Sequence, residues 1–268
     1  MNELDRIVAS TREELAGRRR AAPVEAVQRA AAQRSNRAGD RRSFAGALRA
    51  PGLSVIAEHK RRSPSAGTIR AGLALEEVVR AYQRGGAAAL SILTEGPSFG
   101  GCLEDLRAAR AKVTLPILRK DFMVDPYQVS EAFAAGADAI LLIVAALSQR
   151  QLQELHAQAL ELGLDVLVEV HDERELDAAV GLGAGVIGIN NRDLKTLRVD
   201  TRRTFELLPS LPAGTLVVAE SGFSRREELD ELLDAGASAV LIGEALMRAP
   251  DIEVACRGLT ASSSGRSV

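Results

Sequence analysis

Short apolar, β-rich runs recur along the chain: Leu53 to Ala57, Ala88 to Leu93, Leu115 to Leu118, Ala139 to Ile143, Val166 to Val170, Val186 to Ile189, Leu216 to Ala219 and Ala239 to Ile242. Stretches with polar and apolar residues at helical spacing follow them, such as Leu75 to Arg84, Tyr127 to Ala135, Gln149 to Leu162, Glu173 to Leu182 and Arg225 to Ala235. Several of these stretches close on glycine, at Gly85-Gly86, Gly136, Gly163, Gly183 and Gly236, where a left-handed residue ends a helix before the next strand. Strands apolar throughout predict burial on both faces, as in a parallel sheet covered by helices. Eight βα units in about 200 residues, with no linker between halves, fit an α/β fold closed as a (β/α)8 TIM barrel better than a doubly wound sheet.

Residues 1–50 are rich in Arg and Ala, and Leu4, Ile7, Val8 and Leu15 fall near one helical face. This predicts an N-terminal helical extension packed on a barrel spanning 51–260. The segment 261–268 has the composition of a disordered tail.

Composition narrows the function. Of 268 residues, 46% are apolar and 26% charged, ordinary values for a folded chain, and 34 basic against 36 acidic residues leave a net charge of −2. No global field attracts nucleic acid or an anionic membrane. The longest apolar runs, such as Ala137 to Leu147 with Asp138 inside it, stop short of the roughly 20 residues a bilayer span needs. The N-terminus is charged from residue 3 and carries no secretory pattern, so a cytoplasmic location is expected. Cys102 and Cys256 can form neither a disulfide framework nor a zinc cluster, and His59, His156 and His171 lack metal-ligand spacing, so no metal is expected.

Barrels of this kind build their sites at the C-terminal ends of the strands. Here those ends carry Glu58-His59-Lys60, Arg119-Lys120-Asp121, Glu169, Asn190-Asn191-Arg192, Glu220-Ser221-Gly222 and Gly243-Glu244. Alternation puts Glu58 and Lys60 on one side of the chain and His59 on the other. Lys120 and Glu169, converging on one concavity, can serve as proton donor and acceptor. Glu58 and Glu220 have a second reading as members of a structural ion network across the barrel top. The turns Ser221-Gly222 and Gly243-Glu244-Ala245 each open a helix and offer backbone N–H groups to a phosphate, to which Ser63 can add a hydroxyl. Gly183-Ala-Gly185-Val-Ile-Gly188 satisfies G-x-G-x-x-G but enters a strand instead of leaving one, so dinucleotide binding is set aside. Ser221 has no nearby histidine or nucleophile-elbow pattern, and Cys102 has no adjacent base.

Six segments carry a resemblance: Ile56-Ala-Glu58-His-Lys60-Arg-Arg-Ser63-Pro-Ser, Leu118-Arg-Lys120-Asp-Phe122, Leu167-Val-Glu169-Val-His-Asp, Gly188-Ile-Asn190-Asn-Arg192-Asp-Leu, Ala219-Glu220-Ser221-Gly222 and Ile242-Gly243-Glu244-Ala-Leu-Met-Arg-Ala-Pro. Together they resemble the indole-3-glycerol phosphate synthase family, from the N-terminal helix to about Asp251. The resemblance implies a cofactor-free carboxy-lyase of tryptophan biosynthesis acting on 1-(2-carboxyphenylamino)-1-deoxyribulose 5-phosphate. It implies Lys120 as general acid, Glu169 and Lys60 as base and acid of a dehydration, and Glu58 positioning Lys60. Asn190, Arg192, Glu220 and Ser221 would form the polar wall, Phe99, Phe122 and Leu141 an apolar slot, and Ser63, Gly222, Gly243 and Glu244 the phosphate seat. A monomer beside other tryptophan-pathway enzymes is expected. The departures are His59, in a position often apolar or aromatic, Cys102, where small polar residues are common, and Asp251 to Val268. That last stretch shows no clear final helix of the usual length and is expected to cover the barrel bottom poorly. Rival readings are a phosphoribosyl isomerase, which would rest on a Cys/Asp or Asp/Asp pair, and an inactive phosphometabolite-binding paralogue.

Overall fold

Because each apolar run has hydrophobic partners on both faces, all eight become strands of one parallel sheet. The computed structural model describes residues 2–36, 39–70 and 72–261. The strands are β1 (Ser54–His59), β2 (Ala89–Leu93), β3 (Ile117–Lys120), β4 (Ala139–Ile143), β5 (Asp165–Val170), β6 (Val186–Asn190), β7 (Leu216–Glu220) and β8 (Ala239–Ile242). Each pairs with its neighbour in sequence, and β8 closes on β1 with Ser54 opposite Ala239. The predicted TIM barrel is what forms. Apart from Lys120 and Asp165, every strand residue is buried.

Alternation divides the core in two. Outward residues such as Val55, Ile92, Val168 and Val240 pack under the helices, while Ile56, Ala89, Leu118, Leu167, Val186 and Val218 fill the barrel interior. The main outer helices are α4 (Leu75–Arg84), α5 (Leu103–Lys112), α6 (Pro126–Ala135), α7 (Gln149–Glu161), α8 (Glu173–Gly181) and α10 (Arg226–Asp234), with α9 (Arg202–Leu207) and α11 (Glu244–Arg248) shorter. The predicted glycine stops hold: Gly86, Gly136, Gly163, Gly183 and Gly236 all take positive φ.

Three helices precede β1: α1 (Glu3–Ala21), α2 (Val24–Ser35) and the single turn α3 (Phe44–Ala47). The face predicted for α1 is the buried one, Leu4, Ile7, Val8 and Leu15. Its first turns lie over the barrel mouth, where Glu3, Leu4 and Ile7 share a pocket with Lys60, Phe99 and Phe122. Packed along α6, α2 carries Arg34 in its last turn, 4% exposed. The Arg34 guanidinium donates to the Phe133 and Ala137 carbonyls at 2.6 Å each and to Asp138 at 3.2 Å. From α3 and the residue after it, Phe44 and Leu48 join the interior cluster with Ile56, Ala89 and Leu216, and the Ala45 N–H donates to Asp165 at the foot of β5. The extension therefore straps the barrel from mouth to floor.

Two expectations need correction. Polar residues at several strand ends belong to the strands: β3 runs to Lys120 and β6 to Asn190, beyond the apolar runs that marked them. Nor does the chain after Pro250 lack a final helix. A final helix α12 (Ile252–Thr260), N-capped by the Asp251 carboxylate on the Val254 N–H, buries Ile252, Cys256 and Leu259. It packs on α4 and touches β1 and α10, closing the seam between the first and last units, while Phe44 and Leu48 join Leu216 and Ala239 in the interior cluster. Beyond Ala261 the expected disordered tail lies outside the described residues.

Candidate active site

Towards the C-terminal ends of the strands, the inward positions change from aliphatic to polar. Glu58 and Lys60 on or just after β1, Lys120 on β3, Glu169 on β5, Asn190 on β6 and Glu220 on β7 all line one cavity of about 440 Å³. Phe99, Phe122, Leu141, Arg192, Ser221, Gly222, Gly243 and Glu244 complete the predicted set on its walls, so every proposed site residue except Ser63 meets there. Ser63 lies in a short ribbon, Arg62–Ser63 paired with Gly67–Thr68, and lines the adjoining pocket beside Phe99 and Phe122. Its hydroxyl accepts from the Ala66 N–H at 3.2 Å.

The charges form two chains of contacts, one at Glu58 and one at Lys120. Lys60 Nζ lies 2.9 Å from Glu58 Oε1, and the Ser91 hydroxyl donates to Glu58 Oε2 at 3.2 Å. Lys120 Nζ lies 3.1 Å from Glu169 Oε2 and 3.1 Å from Glu220 Oε2. His171 extends the second chain, with Nε2 3.4 Å from Glu169 Oε1 and Nδ1 3.0 Å from Glu175 Oε2. Asn190 Oδ1 accepts the Arg192 N–H at 3.0 Å.

Burial amplifies these interactions and splits the carboxylates. Desolvation opposes charge on Lys120, yet Glu169, Glu220 and Glu58 outweigh it and hold the ammonium protonated. Burial also works against an ionised Glu169, but Lys120 and then His171 pull its carboxyl well below the usual range. Glu220 goes the other way: burial and the nearby Glu169 charge exceed the pull of Lys120 and raise it. Around one ammonium the site thus holds an ionised carboxylate and a carboxyl that retains its proton more readily. His59 faces away from the cavity, as alternation predicts, and burial, aided by Arg61, pushes it down to about 4.

An apolar wall stands on one side. Phe99 and Phe122 have ring centroids 6.2 Å apart, and the Glu95 carboxylate fixes the Phe99 loop by accepting the Ser98 and Phe99 N–H groups at 2.8 Å each. On the other side lies a tight turn, where Ser221 (φ 65°) and Gly222 (φ 97°) are both left-handed and the Asn191 amide holds the Ser221 carbonyl at 3.0 Å. A Cβ on Gly222 would come within 2.6 Å of Thr201 Cγ2. This geometry turns backbone towards the cavity, as anion seats require.

Sequence reasoning missed Ser91, His171 and Gly188. His171 was legible, since it stands two residues after Glu169 on the same face of the chain. Gly188 also left a trace as a glycine inside an apolar strand. A Cβ there would meet Glu220 Oε1 at 2.2 Å, so the missing side chain makes room for that carboxyl.

Comparison with known proteins agrees with this geometry. Residues 4–259 match the family model described as indole-3-glycerol phosphate synthase. A protein of that name from a Nocardioides species is 48% identical over 264 residues, covering 98% of this chain and 100% of that one. One from Burkholderia vietnamiensis is 47% identical over 252 residues, covering 92% and 95%. Among solved structures, 3-hexulose-6-phosphate synthase from Salmonella typhimurium superposes with a TM-score of 0.63 at 15% identity, covering 78% of this chain and 97% of that one, a likeness of fold. On the full-length family match and these identities, the chain belongs to the indole-3-glycerol phosphate synthase family.

Proposed function

We propose that the chain converts 1-(2-carboxyphenylamino)-1-deoxyribulose 5-phosphate to indole-3-glycerol phosphate, releasing carbon dioxide and water. One observation carries this reading: two ammonium groups and the carboxylates they pair with face a single cavity between an aromatic wall and a glycine turn. The substrate has the matching parts, an aryl ring, a carboxylate, a ketone and a phosphate.

Ring closure forms a bond from the carboxylate-bearing aryl carbon to the ketone carbon, and negative charge grows on the ketone oxygen. The Lys120 ammonium, held protonated by its carboxylates, donates a proton there. Loss of carbon dioxide returns its bonding electrons to the ring and restores aromaticity. Lys60, placed by Glu58, faces the departing carboxylate and then protonates the leaving hydroxyl, while Glu169 takes the proton that dehydration releases. Asn190, Arg192, Glu220 and Ser221 hold the reacting oxygens and the carboxylate region. Phe99, Phe122 and Leu141 take the ring, and Gly222, Gly243 and Glu244 with Ser63 take the phosphate. The same reading makes the chain a cytoplasmic monomer working beside other tryptophan-pathway enzymes. Its support is the match to a biosynthetic family over nearly the whole chain.

The chain contains no tryptophan, so indole fluorescence reports product against a quiet background. Substrate added to purified protein should produce a rising signal. No signal with substrate shown to bind by calorimetry would overturn the activity in favour of a binding protein.

A further inference from the structure

We infer that His171 is a positioning residue of this reaction: as an imidazolium placed between Glu175 and Glu169, it holds Glu169 as an ionised proton acceptor. The inference rests on the reading of Glu169 as that acceptor.

The argument starts from what each ring nitrogen faces. Nδ1 lies 3.0 Å from Glu175 Oε2, and the backbone N–H of His171 already donates to that same oxygen at 2.8 Å. Nε2 lies 3.4 Å from Glu169 Oε1, an ion-pair separation, and makes no hydrogen bond among the described residues. An ionised carboxylate only accepts, and a neutral imidazole has only one N–H. A neutral ring would aim its lone pair at one carboxylate, so a ring held between two of them needs both protons.

Each end of the bridge is anchored. Glu175 sits in the first turn of α8, where its own N–H donates to the capping Asp172 at 2.9 Å. Glu169 is 1% exposed, and its second oxygen faces Lys120 at 3.1 Å. The charged groups facing the ring are Glu169 from β5 and Glu175 from α8. Beyond Glu169 stand Lys120 on β3, Asn190 on β6 and Glu220 on β7. Glu169 Oε1 thus faces the imidazole across an ion-pair distance while Oε2 meets Lys120, and the charge of His171 lowers the basicity of Glu169. Burial pulls the imidazole down, but the two carboxylates outweigh it and bring it up to about 9.

The chain has only three histidines, and burial pulls both His59 and His156 downward, so the full-length protein offers a direct readout. Nitrogen-15 NMR of the ring nitrogens near neutral pH should show one doubly protonated histidine, assigned by its loss in His171→Asn. In Glu175→Gln that ring should titrate at lower pH, by roughly a unit. In His171→Gln, kcat should fall by about tenfold with KM within about twofold, the acid limb of kcat/KM should move to higher pH, and an alkaline limb near 9 should vanish. A neutral His171 in the wild type, or wild-type kcat and pH profile in His171→Gln, would overturn the bridge. The NMR needs no substrate, so wild-type and Glu175→Gln spectra decide the protonation even where a His171 variant fails to fold. Absence of indole product from the wild type strikes at the activity instead.

Discussion

Lys120→Met tests the centre of the site, because it removes the ammonium and keeps an unbranched side chain of similar length. In the wild type Nζ stands 3.1 Å from each of two carboxyl groups that are 1% exposed. Only Glu169 is held firmly ionised, so one buried pair is broken, and removing one partner of such a pair costs about 3–5 kcal/mol. For a domain of this size that lowers Tm by roughly 6–20 °C. The loss should also depend on pH. Wild-type Glu169 has its folded pKa depressed, so it adds stability above its unfolded value of about 4.3 and loses it as pH falls. Without Lys120, His171 is left as the cation opposing burial at Glu169, Glu220 loses the cation that lowers it, and both folded values rise. A raised carboxyl takes up a proton in the folded state, so stability falls as pH climbs from the unfolded value through the folded one. The gap between variant and wild-type Tm should therefore be widest near pH 8 and narrow towards pH 5. Turnover, followed by indole fluorescence, should drop by about 10²–10⁴-fold with loss of the general acid. A gap of equal size at both pH values, or turnover within about tenfold of wild type, would refute the reasoning.

Glu169→Gln removes the proposed proton acceptor but keeps a similar shape. Product formation should fall by about 10²–10⁴-fold, with a ring-closed intermediate visible by mass spectrometry, and an unchanged product rate removes Glu169 from the dehydration step. Gly188→Ala places a Cβ 2.2 Å from Glu220 Oε1, which should cost about 1–3 kcal/mol and lower kcat. Wild-type melting and turnover together would show that Glu220 moves aside freely. Arg34→Ala strips two buried carbonyls and Asp138 of a donor far from the cavity, so stability should fall by about 3–5 kcal/mol with kcat unchanged. A kcat that falls with stability would show that the strap reaches the chemistry.

The barrel was legible because its strands are buried on both faces and therefore apolar along most of their length, which little else in a chain of this size imitates. The same logic misplaced some strand ends. At β3 the apolar run stops at Leu118, but the strand continues through Arg119 and Lys120. Arg119 is a strand residue with no exposed surface because Thr94, Asp121, Gln128 and Glu131 satisfy it, and no local pattern announces partners so distributed in the chain. The final helix was missed for a related reason. Its apolar face is only Ile252, Cys256 and Leu259, too sparse for periodicity alone, yet enough against the flat seat that Gly85 leaves under Cys256.

The site was legible where a side chain supplies the chemistry and obscure where the contribution is space or a second layer of charge. Glu58, Lys60, Lys120, Glu169 and Glu220 declare themselves as ionisable groups at strand ends, so topology alone gathers them. Sequence could not order their protonation. Glu169 and Glu220 are chemically near-identical and both contact Lys120 at 3.1 Å, but only Glu169 has a second cationic partner in His171. Glu220 Oε1 has no hydrogen-bond partner among the described residues and lies where a Cβ at position 188 would stand. The absent side chain at Gly188 admits Glu220 without giving it a donor, and that missing donor helps keep the proton on Glu220 while Glu169 stays charged. Two carboxyl groups shifted in opposite directions thus arise beside one shared ammonium from an imidazole on one side and a glycine on the other.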